Sequence, residues 1–201
     1  MKNRFLPFLI PLLLLAGCQP LRAPEWRTVP AQNPSGTVNV LVEIPAGSVE
    51  KWEMNKKSGQ LAPDSIDGKP RRIQYLPYPA NYGMIPQTLL PKKAGGDGDP
   101  LDVILLGEAA ERGSLIESRV IGVLKLQDSG EQDDKLIAVD INSTFGTLQS
   151  LKALETSFPG VTDILRHWFT NYKGAGKMTS EGYQDENAAR QLLQKAIEAY
   201  P

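Results

Sequence analysis

Three aspartates, Asp97, Asp99 and Asp102, fall within six residues of the stretch GGDGDPLDVILLG, Gly95 to Gly107, where the chain turns apolar. Asp and Gly together favour Asx-turns and left-handed backbone, and a turn accounts for Asp97 and Asp99. It accounts poorly for Asp102, inside the apolar run Leu101–Leu106, where an unneutralised charge is costly. A cation would neutralise all three. An EF-hand calcium loop fits at Asp97, Asp99 and, in its twelfth place, Glu108. It fails at the fifth place, Leu101, and at the sixth, where glycine is required and Asp102 stands. Carboxylates without histidine or thiol suit hard ions such as Mg²⁺, Mn²⁺ or Ca²⁺.

Further acids follow in VLKLQDSGEQDDKLIAV: Asp128, Glu131, Asp133 and Asp134, then Lys135. A solvated hairpin tip would also account for them. Glu43 interrupts the apolar pattern of VLVEIP. Lys51 and Glu53, two apart in KWEM, point to one side of a strand. A face holding both carboxylates and lysines suits a metal-bound polyanion.

The elements that must position these residues are short. TVNVLVEIP, LDVILLG and KLIAVDI read as strands from their β-branched and aliphatic content. KWEMNKKSGQL reads as strand, turn and return, and RRIQYLPYPANYG as extended chain with irregular loops. SLIESRVIGVLKLQD is a strand pair or one bent strand, with Gly122 marking a bulge. After Ile141 the period becomes helical in TLQSLKALETSF and DILRHWFTNYK. In DENAARQLLQKAIEAY, residues Ala189, Leu192, Leu193, Ala196, Ile197 and Tyr200 form one apolar stripe behind an N-cap at Asp185. The expected class is α+β: a small closed, OB-like five-stranded β-barrel, with extra strands and C-terminal helices packed outside. His167, the one histidine, is read as a packing or surface residue rather than a ligand.

The first residues read differently. Lys2 and Arg4 precede an apolar run from Phe5 to Ala16, the pattern of a signal peptide. The run is short and proline-interrupted for a membrane span. Pro7 and Pro11 count against a buried core helix. Leu15-Ala16-Gly17-Cys18 resembles the lipobox of bacterial lipoproteins, in which the chain is cut before the cysteine and the cysteine carries lipid. Cys18 is the only cysteine in the chain, so no internal disulfide forms; a free structural cysteine is the plain alternative. In that family an aspartate after the cysteine retains the protein at the inner membrane. Gln19 stands there instead, which points to the periplasmic face of the outer membrane of a Gram-negative cell. The expected organisation is a signal peptide at 1–17, a lipidated N-terminus and flexible tether at 18–36, and one domain at 37–201. Trp26, in the tether, is left between the domain and the lipid headgroups.

The acidic motif DGDPLD resembles the signature of the soluble family I inorganic pyrophosphatases, and the resemblance extends from Glu43 to Lys177. VEIPAG is similar to that family's first strand and KWEMNKKSG to its Lys-aromatic-Glu hairpin. LPYPANYG is similar to its tyrosine-bearing loop, GVLKLQDSGEQDDKLIAV to its acid-acid-lysine segment, and NYKGAGK to its Tyr-Lys pair. The resemblance implies Mg²⁺-dependent hydrolysis of pyrophosphate to two orthophosphates, with several Mg²⁺ per site and Mn²⁺ as an alternative. It implies metal ligands at Asp97, Asp99, Asp102, Asp128 and Asp133, with Asp99 accepting the proton of the attacking water. It places phosphate contacts at Lys51, Arg71, Tyr78, Lys135, Tyr172 and Lys173, and supporting residues at Glu43, Glu53 and Tyr82. Arg71 and Arg72 are adjacent, so only one faces the site if they alternate; its distance from Leu76-Pro77-Tyr78 favours Arg71. Relatives often form hexamers, which leaves a homo-oligomer open here.

Other readings are an enzyme acting on another phosphoanhydride, or a metal- or phosphate-binding lipoprotein without activity. OB-type barrels also bind nucleic acid. The formal net charge of −1 and the lack of a basic aromatic stripe argue against that partner.

Overall fold

The computed structural model describes residues 26–55, 58–92, 96 and 98–201; the expectations placed on Cys18 and Asp97 lie outside these described residues. After a 3-10 turn at Trp26–Thr28 come β1 (Val38–Ile44), β2 (Trp52–Asn55), β3 (Gln60–Pro63), β4 (Ser65–Ile66), β5 (Lys69–Pro70) and β6 (Asn81–Met84). Then follow β7 (Asp102–Leu106), β8 (Leu115–Asp128), β9 (Glu131–Gln132), β10 (Lys135–Asp140), α1 (Leu151–Ser157), α2 (Val161–Asn171), β11 (Met178–Gln184) and α3 (Glu186–Glu198).

The main sheet runs β1-β6-β7-β10-β8, and β8 pairs again with β1, so five strands close into the expected barrel. Only β7 and β10 are parallel neighbours; the other pairs in the ring are antiparallel. Closure demands a long strand able to serve several partners. β8 supplies it with 14 residues, pairing β1 and β10 in its first part and β11 in its second. It bends at an irregularity where Gly122 opposes Ile137 but Val120 opposes Ala138, leaving Ile121 extra. The bulge expected near Gly122 is therefore present, one residue earlier.

β7 and β10 are buried on both faces, which explains their unbroken apolar runs. Ile104, Leu106, Ile137 and Val139 join a core shared with Leu154, Leu165 and Phe169 of the first two helices. Val103, Leu105, Leu136 and Ala138 join a second core shared with Ala189, Leu193 and Ala196. α3 begins as expected, with the Asp185 side chain accepting from the N–H groups of Asn187 and Ala188. His167 is exposed on α2.

Two features differ from expectation. β11 was not anticipated, because MTSEGYQ lacks apolar alternation and carries Gly182 at positive φ. It forms by lying along the second part of β8, with Met178 buried. The packed part of the chain also starts earlier than residue 37. Trp26 and Ala31 are buried, Gln32 bridges Val38, and the Trp26 ring joins Leu41, Met54 and Met84. Among the described residues no helix is long and apolar enough to cross a membrane.

Gly83 lies between β1 and β7, and a Cβ there would come within 1.9 Å of the Leu41 carbonyl oxygen. Backbone cannot retreat as a side-chain tip can, so Gly83→Ala is expected to cost about 3 kcal/mol or more. Urea unfolding checks this; an unchanged midpoint would show that β1 and β6 are not so closely apposed.

Candidate active site

A cavity of about 200 Å³ opens at one end of the barrel. Strand register builds its floor. β7 and β10 run parallel with Leu136 opposite Val103, so Lys135 and Asp102, one residue earlier on each, start side by side. Lys135 is 3% exposed and donates to Asp102 Oδ2 and, at 2.6 Å, to Asp133 Oδ1. Burial works to lower the Lys135 pKa, but the two carboxylates more than offset it and hold the ammonium above its ordinary value. Burial raises the Asp133 carboxyl, with Lys135 opposing and Asp102 adding to the rise.

The hairpin β2–β3 forms a side wall. Lys51 and Glu53 face the cavity together as the two-residue period requires, joined at 2.6 Å, while Trp52 turns away beneath Arg112. Both Lys51 and Lys135 place their ammonium over the Tyr82 ring, at 5.8 and 5.9 Å from its centre. Arg71 lines the cavity and donates to Asp64 Oδ2 at 3.0 Å, whereas Arg72 pairs outward with Glu50. The arginine favoured from spacing is the one that faces in. At the end of α2, Tyr172 and Lys173 complete the wall. Lys173 donates to Asp128, which stands outside the lining and reaches the site through that lysine. Burial of Asp128 is outweighed by Lys173, so this carboxyl is lowered.

The tyrosines take different places from those expected. Tyr82 lines the cavity, and Tyr78 sits behind it, 2% exposed among Tyr82, Trp168, Phe169 and Tyr172. Trp168 fixes this layer by donating to the Leu76 carbonyl at 2.9 Å and stacking on Tyr172 at 4.6 Å. Burial raises the Tyr78 and Tyr82 hydroxyls well above the ordinary phenol range, so both stay protonated as donors.

Several members of the site went unread in the sequence. Met54, Met84, Pro100 and Trp26 line the cavity, and Asp64 braces Arg71. Asp64 could have been found only from the hairpin register, because pairing of Trp52 with Pro63 sets it beside Lys51, whose carbonyl accepts its N–H at 3.0 Å. Asp134 faces away from the cavity, held by Lys125 and by the Leu126 N–H at 3.1 Å, and so anchors the segment between Asp128 and Asp133.

Among the described residues no three acids converge tightly enough to form a metal cluster by themselves, and Asp97 lies outside those residues. The donor set nevertheless fits a hard divalent ion. Asp99, Asp102 and Asp133 line one cavity with oxygen donors only, and two of them already converge on one cation, the Lys135 ammonium.

Glu43, lining the cavity, accepts the Met54 N–H at 2.7 Å. Burial raises its carboxyl from 4.5 to about 8, against the pull of Lys51. The unfolded chain releases this proton near pH 4.5 and the folded chain keeps it to about pH 8. The contribution to stability is thus full below pH 4.5 and falls as pH rises through that window, at up to about 1.4 kcal/mol per pH unit. Glu43→Gln should remove this slope in metal-free protein. Denaturation midpoints between pH 5 and 8 that decline equally in parent and variant would contradict it.

A family model for inorganic pyrophosphatase matches residues 40–201. The inorganic pyrophosphatase of Helicobacter pylori is 35% identical over 167 residues, covering 80% of this chain and 90% of that protein. A solved H. pylori inorganic pyrophosphatase structure superposes with a TM-score of 0.72 at 31% identity, covering 86% of this chain and 98% of that one. The Thermus thermophilus inorganic pyrophosphatase structure gives 0.74 at 27% identity, with 88% and 98% covered. The closed barrel, the cavity lined by both carboxylates and cations, and the match across residues 40–201 agree: the chain belongs to the inorganic pyrophosphatase family.

Proposed function

We propose that this chain hydrolyses inorganic pyrophosphate to two orthophosphates with Mg²⁺, as a lipid-anchored protein at the periplasmic face of the outer membrane. The observation that carries the reaction is one small cavity. Its lining includes Asp99, Asp102 and Asp133, which offer oxygen ligands, and Lys51, Arg71 and Lys173, which offer cationic phosphate contacts. The anchor rests on the lipobox-like Leu15-Ala16-Gly17-Cys18 and on Cys18 being the only cysteine.

Asp99, Asp102 and Asp133, with Asp97 and Asp128, would hold Mg²⁺. When bound, the ions offset the substrate's charge and make the attacking water more acidic. The remaining work falls to the chain. Arg71 can grip one phosphate with two parallel hydrogen bonds, pre-aimed by Asp64. Lys51 and Lys173 set the phosphate ends, and the Tyr172 hydroxyl and Lys135 offset charge that grows on the departing phosphate. Asp99 accepts the water's proton. Donors that are already fixed by ion pairs and aromatic packing need little reorganisation during reaction.

Phosphate release from pyrophosphate by residues 19–201 should require Mg²⁺ and exceed release from ATP. Asp99→Asn should lower kcat by about 100-fold or more. An undiminished rate in that variant, or equal turnover of ATP, contradicts the reading. Arg71→Lys should impair turnover where Arg72→Lys leaves it near parental, because only Arg71 lines the cavity. Equal effects of the two would remove Arg71 from phosphate binding. Cys18→Ser should abolish palmitate labelling and release the protein from the membrane fraction; unchanged labelling contradicts the anchor.

A further inference from the structure

Asp133, a candidate metal ligand, sits at a gap in the sheet ladder. β8 pairs with β9 through Gln127 opposite Gln132, and with β10 from Leu124 opposite Lys135. Asp133 and Asp134 fall between these two runs. The Asp133 N–H donates to the Leu126 carbonyl at 2.9 Å, as a ladder residue would. The return bond of such a pair is replaced: the Leu126 N–H donates to the Asp134 side chain, at Oδ1, over 3.1 Å.

The Asp134 side chain is 1% exposed. Besides the Leu126 N–H, Lys125 Nζ and Gln132 Nε2 donate to its Oδ2, the latter at 2.5 Å. A buried carboxylate is costly unless it is paired and hydrogen-bonded, so these partners set where Asp134 lies. Strand alternation then sets its neighbours. With Asp134 turned away, Asp133 and Lys135 turn into the cavity. Lys125, Gln132 and Asp134 do not line that cavity; Lys125 and Gln132 line a second one, of about 430 Å³, beside α3. The turn between Asp128 and Asp133 gives little hold of its own. β9 is two exposed residues, and Ser129 and Gly130 before it carry positive φ.

We propose that Lys125, Asp134 and Gln132 form a latch behind the acid segment, and that Lys125 and Asp134 are positioning residues that set its Mg²⁺ affinity. This rests on the metal site proposed above. With the latch closed, Asp133 meets the ion already in place. With it released, the segment must be ordered as the ion binds, and the entropy of that ordering weakens binding. Saturating Mg²⁺ restores the placement, so the latch acts on metal affinity and not on the turnover of the loaded enzyme.

Lys125→Met separates this role from simple electrostatics by its sign. Removing a nearby cation should tighten Mg²⁺ binding through charge alone. Losing the latch weakens it. Calorimetric titration of Mg²⁺ into the full chain should give an affinity about tenfold below parental for Lys125→Met. Lys125→Arg, which keeps the ion pair, should bind as the parent does. For Lys125→Met, kcat for pyrophosphate at saturating Mg²⁺ should stay near parental, while the Mg²⁺ concentration for half-maximal rate rises as the affinity falls. Gln132→Ala changes an exposed position without changing charge, so it should also weaken binding, and it decides the matter if Lys125→Met does not fold. Mg²⁺ binding as tight as parental, or tighter, in these two variants overturns the latch and leaves the metal site standing. A parent chain that binds no Mg²⁺ overturns both.

Discussion

Like charges crowded at the start of two parallel strands set the terms for this molecule. Asp102 and Asp133 flank a lysine that is almost fully buried, and neither the acids nor the lysine would be tolerable there alone. Their mutual attraction offsets the cost of burying the lysine. The parallel register of β7 and β10 brings Asp102 and Lys135 to one end of the barrel, and barrel closure through β8 prevents that register from slipping. The apolar cores on both faces of these strands hold the charged end in place.

Around this centre the side walls repeat one arrangement. A cationic side chain that faces the cavity is held by an acid nearby: Lys51 by Glu53, Arg71 by Asp64, Lys173 by Asp128. Such pairs limit the freedom of long side chains before any ligand arrives. The aromatic layer of Tyr78, Trp168 and Tyr172 does the same for the end of α2. Trp26 extends this wall into the segment ahead of β1.

Much of this is readable in the residues, and the exceptions have physical causes. α3 announces itself through the Asp185 cap and a single apolar stripe. The barrel strands do so through β-branched runs, and Asp102 through its mismatch with an apolar strand. Periodicity says nothing about depth, so the family resemblance sets Tyr78 at the phosphates and Tyr82 behind it, whereas packing against Trp168 puts Tyr78 behind and leaves Tyr82 on the cavity. Alternation shows that only one of Arg71 and Arg72 can face inward, and the Asp64 partner that favours Arg71 depends on hairpin pairing. β11 is polar and exists because β8 is long enough to bind it. Trp26 lies among prolines and polar residues, where composition suggests a tether, yet its ring finds an apolar recess formed by residues from three other strands.

The central claim is that the acids at the start of β7 and β10 constitute a divalent-cation site in the folded chain. Calorimetric titration of Mg²⁺ into residues 19–201 without substrate tests it most directly, comparing the parent with the Asp102→Asn, Asp133→Asn double variant. Saturable binding in the parent and a loss of about tenfold or more in affinity in the variant is the result this account predicts. Equal Mg²⁺ binding in the two proteins would contradict it.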